Sequence, residues 1–261
     1  MIARANLPTR PARFASGPTS PRAGRLGEGK TAFVICGALG KEVKDIVDRR
    51  GWDVDIYGVS ALLHLYPNRI VDEVREKLYA LRPRYEQLVV VYGECGTNGR
   101  LESVLAEVGA LQVRGPHCYE MLAGEELFAR VSDERPGTFF LTDWLVRNFD
   151  RAVVRGLGLD RHPELKSMLF ANYEALLYLR QVPNARLAAK AEEIATYLGL
   201  PLEINDVGLG ELEERLAALV ENRTALIDSP HPARSTGVPA PQAREAASPR
   251  GGEGLADLVE V

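Results

Sequence analysis

Three apolar stretches, each followed by a segment with helical spacing, place the strongest constraint on how this chain can fold. The stretches are residues 31–36, 87–95 and 110–118, and each ends in a cysteine. The first two are dense in Val and Ile without polar alternation, which is typical of strands covered on both faces. Three strand–helix units predict an α/β fold, with a parallel sheet in Rossmann-like layers and helices on both faces. An arrangement of two βα halves around a cleft fits the same pattern.

The alternation of strand-like and helix-like segments continues beyond these units. Pro136 and Gly137 signal a turn before a further strand, and Gly199 is placed to end a further helix. We predict strands at residues 53–59, 139–141 and 201–208, and helices at residues 68–81, 163–180, 185–198 and 211–219, with Asn68 capping the first of these helices.

The composition of the chain excludes some classes of function. The net charge of −4 argues against nucleic acid as a partner. No apolar stretch approaches the ~20 residues that a membrane-spanning helix needs, so we expect no membrane partner. Three cysteines, an odd number in so long a chain, do not resemble a disulfide framework. A reducing cytoplasm is therefore the expected location.

The two ends of the chain differ from the middle. Residues 1–29 are rich in Arg and Pro, and residues 229–261 in Pro, Ala, Gly, Ser and Arg; neither end has the apolar content that offsets the entropy of ordering. We expect two disordered tails around a folded α/β domain at residues 30–228. The basic N-terminal tail has the Arg and Ser content of a transit peptide but lacks periodic amphipathicity, so a targeting role stays open.

Cys36, Cys95 and Cys118 occupy equivalent positions at the ends of the three strand-like stretches. Because ligands of parallel α/β sheets bind beyond the carboxyl ends of the strands, we expect these thiols to meet. Thiolates select zinc, copper(I) or iron–sulfur chemistry over magnesium and calcium. The wide spacing disfavours a zinc ribbon and suits a metal with three protein ligands and an open fourth position. The alternative for each cysteine taken singly is an inert residue of the core.

Two histidines are candidates to complete a metal site. His117 adjoins Cys118, and His64 follows the strand predicted at residues 53–59. Either imidazole can serve as a fourth ligand or as a hydrogen-bond donor to a ligand, although a lone histidine more often has only a surface or core role.

A turn and an aromatic residue are candidates for binding a substrate or an anion. Gly93, Glu94 and Gly96 belong to a glycine-rich turn that would let an anion approach backbone N–H groups at a helix start. The geometry of the turn alone also explains these glycines. Trp144 can line a pocket or pack in the core.

Five short strings carry a resemblance to a known family. They are CGALGKE around Cys36, LHLYP around His64, VVVYGECG around Cys95, VRGPHCYEMLAG around Cys118 and PGTFFLTDWL from residue 136. In this order, and over about residues 32–222, they resemble the signature blocks of the bacterial and archaeal family called domain of unknown function 1638 (DUF1638). All three cysteines match the family strings. The chain departs from them in having Leu65 in place of Asn, Glu94 in place of Leu, and PHC in place of HDC at residues 116–118.

The resemblance implies an association with corrinoid-dependent methyl-transfer systems rather than a known reaction. Together with three-thiolate chemistry, it leads us to expect a soluble zinc-binding protein that acts in or beside methyl or one-carbon transfer. Its partner would be a small-molecule substrate, or a corrinoid or methyltransferase protein. The alternative is a non-catalytic carrier or assembly factor for a metal, an iron–sulfur cluster or a corrinoid, and whether the chain is an enzyme stays open.

Overall fold

The computed structural model describes residues 30–221, which form two parallel β-sheets with helices packed against them. The first sheet has the strand order β2-β1-β3-β4 and the second the order β5-β6-β7, and all the paired strands run parallel. The predicted α/β class is confirmed, and the two sheets correspond to the arrangement of two βα halves.

The first half contains four strands and five helices of the described region. They are β1 Thr31–Cys36, α1 Gly40–Arg50, β2 Val54–Val59, α2 Pro67–Leu81, β3 Gln87–Val91, α3 Arg100–Val108, β4 Leu111–Gln112, α4 Cys118–Ala123 and α5 Glu125–Glu134, with short 3-10 turns at Gly37–Leu39 and Ala61–Leu65.

The second half contains the remaining strands and helices of the described region. They are β5 Thr138–Thr142, α6 Asp143–Phe149, which continues as one π-helical turn to Val154, α7 Leu165–Leu169, β6 Ala175–Arg180, α8 Ala185–Leu198, β7 Leu202–Asp206 and α9 Leu212–Glu221.

Strand β1 lies in the middle of the first sheet and is buried along its whole length. Because side chains alternate along a strand, Phe33 and Ile35 pack into one core and Val34 and Cys36 into the other. Helices α2 and α3 cover the face that bears Cys36, whereas α1 and α9 cover the opposite face. This double cover explains why the sequence of β1 is a continuous apolar run.

The order of the strands reverses between β1 and β3, because β1 pairs with β2 on one side and with β3 on the other. In open parallel sheets such a switch point leaves a crevice beyond the carboxyl ends of the two strands, where ligands bind. Helix α9 returns from the second half to the first sheet, where the Gln87 side chain donates a hydrogen bond to the Leu219 carbonyl at 2.9 Å. The chain therefore closes on the sheet that has this crevice.

Several boundaries differ from the predictions. The helix predicted at residues 163–180 is wrong: only α7 is helical there, and Ala175–Arg180 is the central strand of the second sheet. A short apolar run that is buried on both faces does not distinguish strand from helix. Strand β3 ends at Val91, so residues 92–95 form a loop. In the third stretch only Leu111–Gln112 is a strand, and Cys118 is the first residue of α4.

The predicted cap of α2 is also wrong. The helix begins at Pro67, which suits the first helical position because a proline has no N–H to leave unpaired there. The Asn68 side chain instead accepts a hydrogen bond from the Arg100 guanidinium. Asn68 thereby links α2 to the start of α3.

The tails predicted at residues 1–29 and 229–261 lie outside the described residues, as does the end of the predicted domain at residues 222–228. Between residues 30 and 221, no helix combines the length and the apolar character that crossing a membrane requires.

Candidate functional site

Cys36 and Cys95 lie at the switch point of the first sheet. Cys36 is the last residue of β1, and its sulfur accepts a hydrogen bond from the Ala38 N–H at 3.4 Å in the 3-10 turn that follows. Cys95 lies four residues after the end of β3, the neighbouring strand. Cys36 thus lies at the carboxyl end of β1, and Cys95 lies beyond the carboxyl end of the adjacent parallel strand β3.

Cys118 reaches the same region through a contact between two loops. The Cys95 N–H donates a hydrogen bond to the Pro116 carbonyl at 3.3 Å, and Gly93 packs directly on the backbone of His117. A Cβ atom at Gly93 would lie 2.8 Å from both the His117 Cα and the Pro116 oxygen. A glycine is therefore required for this approach, which places the Cys95 sulfur beside the backbone N–H of Cys118.

The three thiols interact electrostatically. Burial raises the pKa of Cys36 to about 11 and that of Cys95 to about 12, and it raises the pKa of Cys118 well above its usual value. A charge on Cys36 raises the pKa of both other thiols further, and a charge on Cys95 raises that of Cys118. All three sulfurs are thus protonated at neutral pH, and each lies within electrostatic range of at least one other.

The thiols are near one another but do not surround a common point. Cys36 belongs to the core on the α2–α3 side of the sheet, and Cys118 to the core on the α1–α9 side. Among residues 30–221, no group of three or more His, Cys, Asp or Glu side chains is arranged to hold a metal ion. Metal binding by the three cysteines therefore stays a prediction.

The backbone of Cys95 is strained. Its φ of +46° lies in the left-handed region, which few residues other than Gly, Asn and Asp adopt. Such strain typically costs about 1–3 kcal/mol and is held in place only by well-packed surroundings. The Pro116 hydrogen bond and the contact at Gly93 supply that packing here. Cys95 and Gly96, both with positive φ, are also the central residues of a turn that the Thr97 N–H closes by donating to the Glu94 carbonyl at 3.0 Å, so the conformation of Cys95 is a local turn held against the neighbouring loop.

His64 is held against the aromatic ring of Tyr92. Its Nδ1 lies 2.8 Å from the Ala61 carbonyl, and its ring is stacked on Tyr92 with 5.6 Å between centroids. Since a carbonyl only accepts, we assign the proton to Nδ1, which leaves the lone pair on Nε2. Burial lowers the pKa of His64, and a charge on His117 would lower it further. The Nε2 lone pair of His64 has no hydrogen-bond partner among residues 30–221.

His117 lies immediately before α4, beside Phe128. The centroids of the two rings are 6.0 Å apart. Burial lowers the pKa of His117, while the carboxylates of Glu94 and Glu120 oppose that change. The structure thus brings both predicted histidines to the region of the cysteines, within electrostatic range of each other.

Tyr92 is a residue of this site that the sequence did not single out. It is completely buried, and its hydroxyl approaches the Cys36 thiol without making a hydrogen bond of normal geometry to any of the described residues. Burial raises its pKa, and the charged forms of all three cysteines would raise it further. A tyrosine that follows a run of three valines at the end of a strand was the available signal.

The predicted anion-binding turn is filled by its own side chain. The Glu94 carboxylate accepts hydrogen bonds from the Gly96 N–H at 2.9 Å and from the Thr97 hydroxyl at 3.2 Å. The Gly96 N–H is thus engaged, and the role of Gly93 is the close approach to His117. Anion binding at this turn stays a prediction, and a ligand there would have to displace Glu94.

Trp144 connects the two halves of the molecule. It is half-buried at the start of α6 and packs against both the core that contains Cys36 and the core of the second sheet. The neighbouring Asp143 raises the pKa of the Glu42 carboxyl in α1, in addition to the larger effect of burial. The carboxyl end of β5 therefore faces the turn that follows Cys36.

Two surface cavities lie away from the cysteines. One of about 350 Å³ lies among Gly124, Arg130 and Glu211, and one of about 600 Å³ lies beside Arg147 and Lys190. None of the predicted site residues lines either cavity. What supports the candidate site is therefore its place at the strand ends and the chemistry of its buried side chains, and neither cavity adds to that support.

Comparison with known proteins confirms the predicted family and does not identify a reaction. No curated protein matches the chain. The family described as "Protein of unknown function (DUF1638)" matches residues 59–216, a range that includes His64, Cys95, His117 and Cys118 and begins after Cys36. Because the match covers more than half of the sequence, this chain belongs to the DUF1638 family.

Proposed function

We propose that this protein binds a soft metal ion, with zinc favoured, through Cys36, Cys95 and Cys118, and that it acts in or beside corrinoid-dependent methyl or one-carbon transfer. The proposal rests mainly on one observation: the three cysteines come from distant segments of the chain, yet Cys36 lies close enough to raise the pKa of Cys95, and both lie close enough to raise the pKa of Cys118. Independent core cysteines would have no reason to gather at a switch point.

The chemistry of these side chains suits a soft metal. Three thiolates are soft ligands that favour zinc, copper(I) or iron–sulfur clusters over hard cations. Zinc held by three protein ligands has a fourth position, at which a thiol substrate would bind in its nucleophilic thiolate form. His64, with a free lone pair on Nε2, is the better placed of the two histidines to be an additional ligand.

Metal binding would require the sulfurs to turn toward a common point, because no such group exists among the described residues. A cysteine side chain has one rotatable torsion, so its sulfur can move while the backbone stays in place. Binding also displaces the thiol protons that burial retains, and the affinity for metal should therefore increase with pH.

Elemental analysis of the full chain, purified without oxygen, tests the proposal. We expect about one zinc per chain in the wild type and loss of zinc in Cys95→Ser. Ser103→Ala is a matched control, since it changes a single oxygen on an exposed part of α3 and should leave the zinc content unchanged. Circular dichroism shows whether each variant keeps the fold.

Three outcomes would contradict the zinc assignment. A wild-type protein that retains no metal after incubation with Zn²⁺ would exclude the site, as would full retention by Cys95→Ser. A brown protein with acid-labile sulfide would replace zinc by an iron–sulfur cluster and would favour a redox or carrier role.

A further inference from the structure

The larger of the two cavities, about 600 Å³, lies where α6 packs against α8, and its lining is cationic. Among the described residues that line it, the cations are Arg147 of α6 and Arg186 and Lys190 of α8. The carboxylate of Glu193 is the single negative charge among the same lining residues. A cleft with an excess of one charge concentrates ligands of the opposite charge, so this lining favours an anion.

The cavity lies near the carboxyl ends of two strands of the second sheet. Asp143 directly follows β5 and Gln181 directly follows β6, and the Asp143 N–H donates to the Gln181 side-chain oxygen at 2.6 Å. Arg147 lies one turn into α6, and its guanidinium donates to the Asp143 carboxylate at 3.1 Å. Strands β5 and β6 are parallel neighbours, and parallel sheets bind ligands beyond this edge.

Two of the three cations are already held by other groups. The buried Asp143 carboxylate that pairs with Arg147 also accepts hydrogen bonds from the Tyr178 hydroxyl at 2.7 Å and the Gln181 N–H at 3.2 Å. Lys190 donates to the Arg147 carbonyl at 3.0 Å. Each of these contacts uses one nitrogen or one N–H of its cation, which leaves further donors for a ligand. Side chains that are ordered beforehand lower the entropic cost of binding.

We infer that this cavity binds the phosphate group of a small molecule. A phosphate monoester carries a charge of about −1.5 to −2 at neutral pH and three acceptor oxygens, so it can engage several cations at once. A carboxylate carries a single charge and matches the lining less well. Arg186 makes no hydrogen bond or ion pair within residues 30–221, so its guanidinium can bind the phosphate without losing a partner.

The size of the cavity also bears on the ligand. Small-molecule sites typically occupy about 300–1,000 Å³, and this cavity falls within that range. A sugar phosphate or a nucleotide would therefore fit, as would free phosphate. This inference does not depend on the proposed metal site, because none of the three cysteines lines the cavity.

Isothermal titration calorimetry of the full chain tests the inference and identifies the source of the phosphate. The ligands are inorganic phosphate, ribose 5-phosphate and adenosine 5′-phosphate, and ribose and adenosine are the controls without phosphate. We expect at least one of the three phosphates to bind and neither control to bind. The affinity should fall as the salt concentration rises, because salt screens charges that are open to solvent.

Substitution of the lining cations locates the binding. Arg186→Gln and Lys190→Gln should each lower the affinity by about 10- to 100-fold, since each removes a hydrogen-bond donor that carries a charge. Arg147 is not a suitable position, because its removal would leave the buried Asp143 carboxylate without its cation and destabilise the fold. Arg130→Gln is the matched control: it removes an exposed arginine that lines the other cavity and should leave the affinity unchanged.

Three results would overturn the inference. The first is the absence of binding for all three phosphates. The second is wild-type affinity in both Arg186→Gln and Lys190→Gln, which would place the ligand elsewhere. The third is an equal loss of affinity in Arg130→Gln, which would reduce the effect to general attraction between charges. None of these results involves a metal, so each leaves the proposed function as it stands.

Discussion

Replacing Gly93 by alanine tests whether the contact between two loops positions the cysteines. The new Cβ atom would lie 2.8 Å from the His117 Cα, 2.8 Å from the Pro116 oxygen and 3.0 Å from the His117 nitrogen. All three are backbone atoms, so no side chain can rotate away. Carbon atoms pack favourably at about 3.5–4.0 Å, and the loops must therefore separate by about 0.7 Å or more.

The energetic cost of this separation follows from the packing. Added volume in a closely packed region destabilises a protein by about 1–3 kcal/mol. At about 2–4 °C for each kcal/mol in a domain of this size, Tm should fall by about 2–12 °C. The hydrogen bond from Cys95 to Pro116 spans the same contact, so zinc retention should also decrease.

Gly58→Ala provides the matched control. A Cβ atom at Gly58, in the edge strand β2, would meet nothing within 4 Å. Both substitutions restrict the unfolded chain equally, so the difference between their Tm values isolates the contact at Gly93. Thermal unfolding followed by circular dichroism measures it. Equal Tm values for the two variants would refute the close approach of the loops.

Three further substitutions test buried polar groups by urea unfolding. Glu42→Met should stabilise the protein at neutral pH by about 1–3 kcal/mol, because one carboxylate oxygen is buried without a partner in the described region. Burial raises the pKa of Glu42 above its ordinary 4.5. The stabilisation that the protonated carboxyl gives is therefore fully present below pH 4.5 and is lost as the pH rises through the raised pKa of the folded state, and the free energy of unfolding of Glu42→Met should lack this dependence on pH. Arg215→Met should cost about 3–5 kcal/mol, because it leaves the Glu120 carboxylate buried and unpaired, and Arg215→Met/Glu120→Met should recover part of this loss. Tyr178→Phe should cost about 1.5–3 kcal/mol, since its hydroxyl donates to the buried Asp143 at 2.7 Å, and a smaller loss than 1 kcal/mol would contradict that pairing.

The fold was predictable where burial and periodicity agree. Residues 31–36 form the predicted strand, and residues 185–198 the predicted helix, because one run is apolar on both faces and the other has a single apolar stripe. The segment at residues 175–180 was assigned wrongly because its burial on both faces arises from neighbours in the second sheet. The pattern within the segment contains no information about those neighbours.

The candidate site was predictable only in part. The parallel sheet places Cys36 and Cys95 at one edge, and this follows from the order of strands and helices. The contact of the Tyr92 hydroxyl with the Cys36 thiol was beyond prediction, because it depends on every atom around the tyrosine. The engagement of Gly96 by Glu94 is likewise a local hydrogen bond that the glycine pattern does not reveal. Residue types indicated the chemistry, and tertiary contacts determined which groups are free.

The position of Cys118 depends on the last described helix. Strand β4 has only two residues, too few to fix the loop that follows it. The loop is held instead by Arg215 of α9, which donates to the Arg114 carbonyl at 2.7 Å and to Glu120, two residues after Cys118, at 2.7 Å. Arg215 lies within the range that matches the family. Since α9 both covers the first sheet and anchors this loop, we expect the position of Cys118 to depend on the docking of α9.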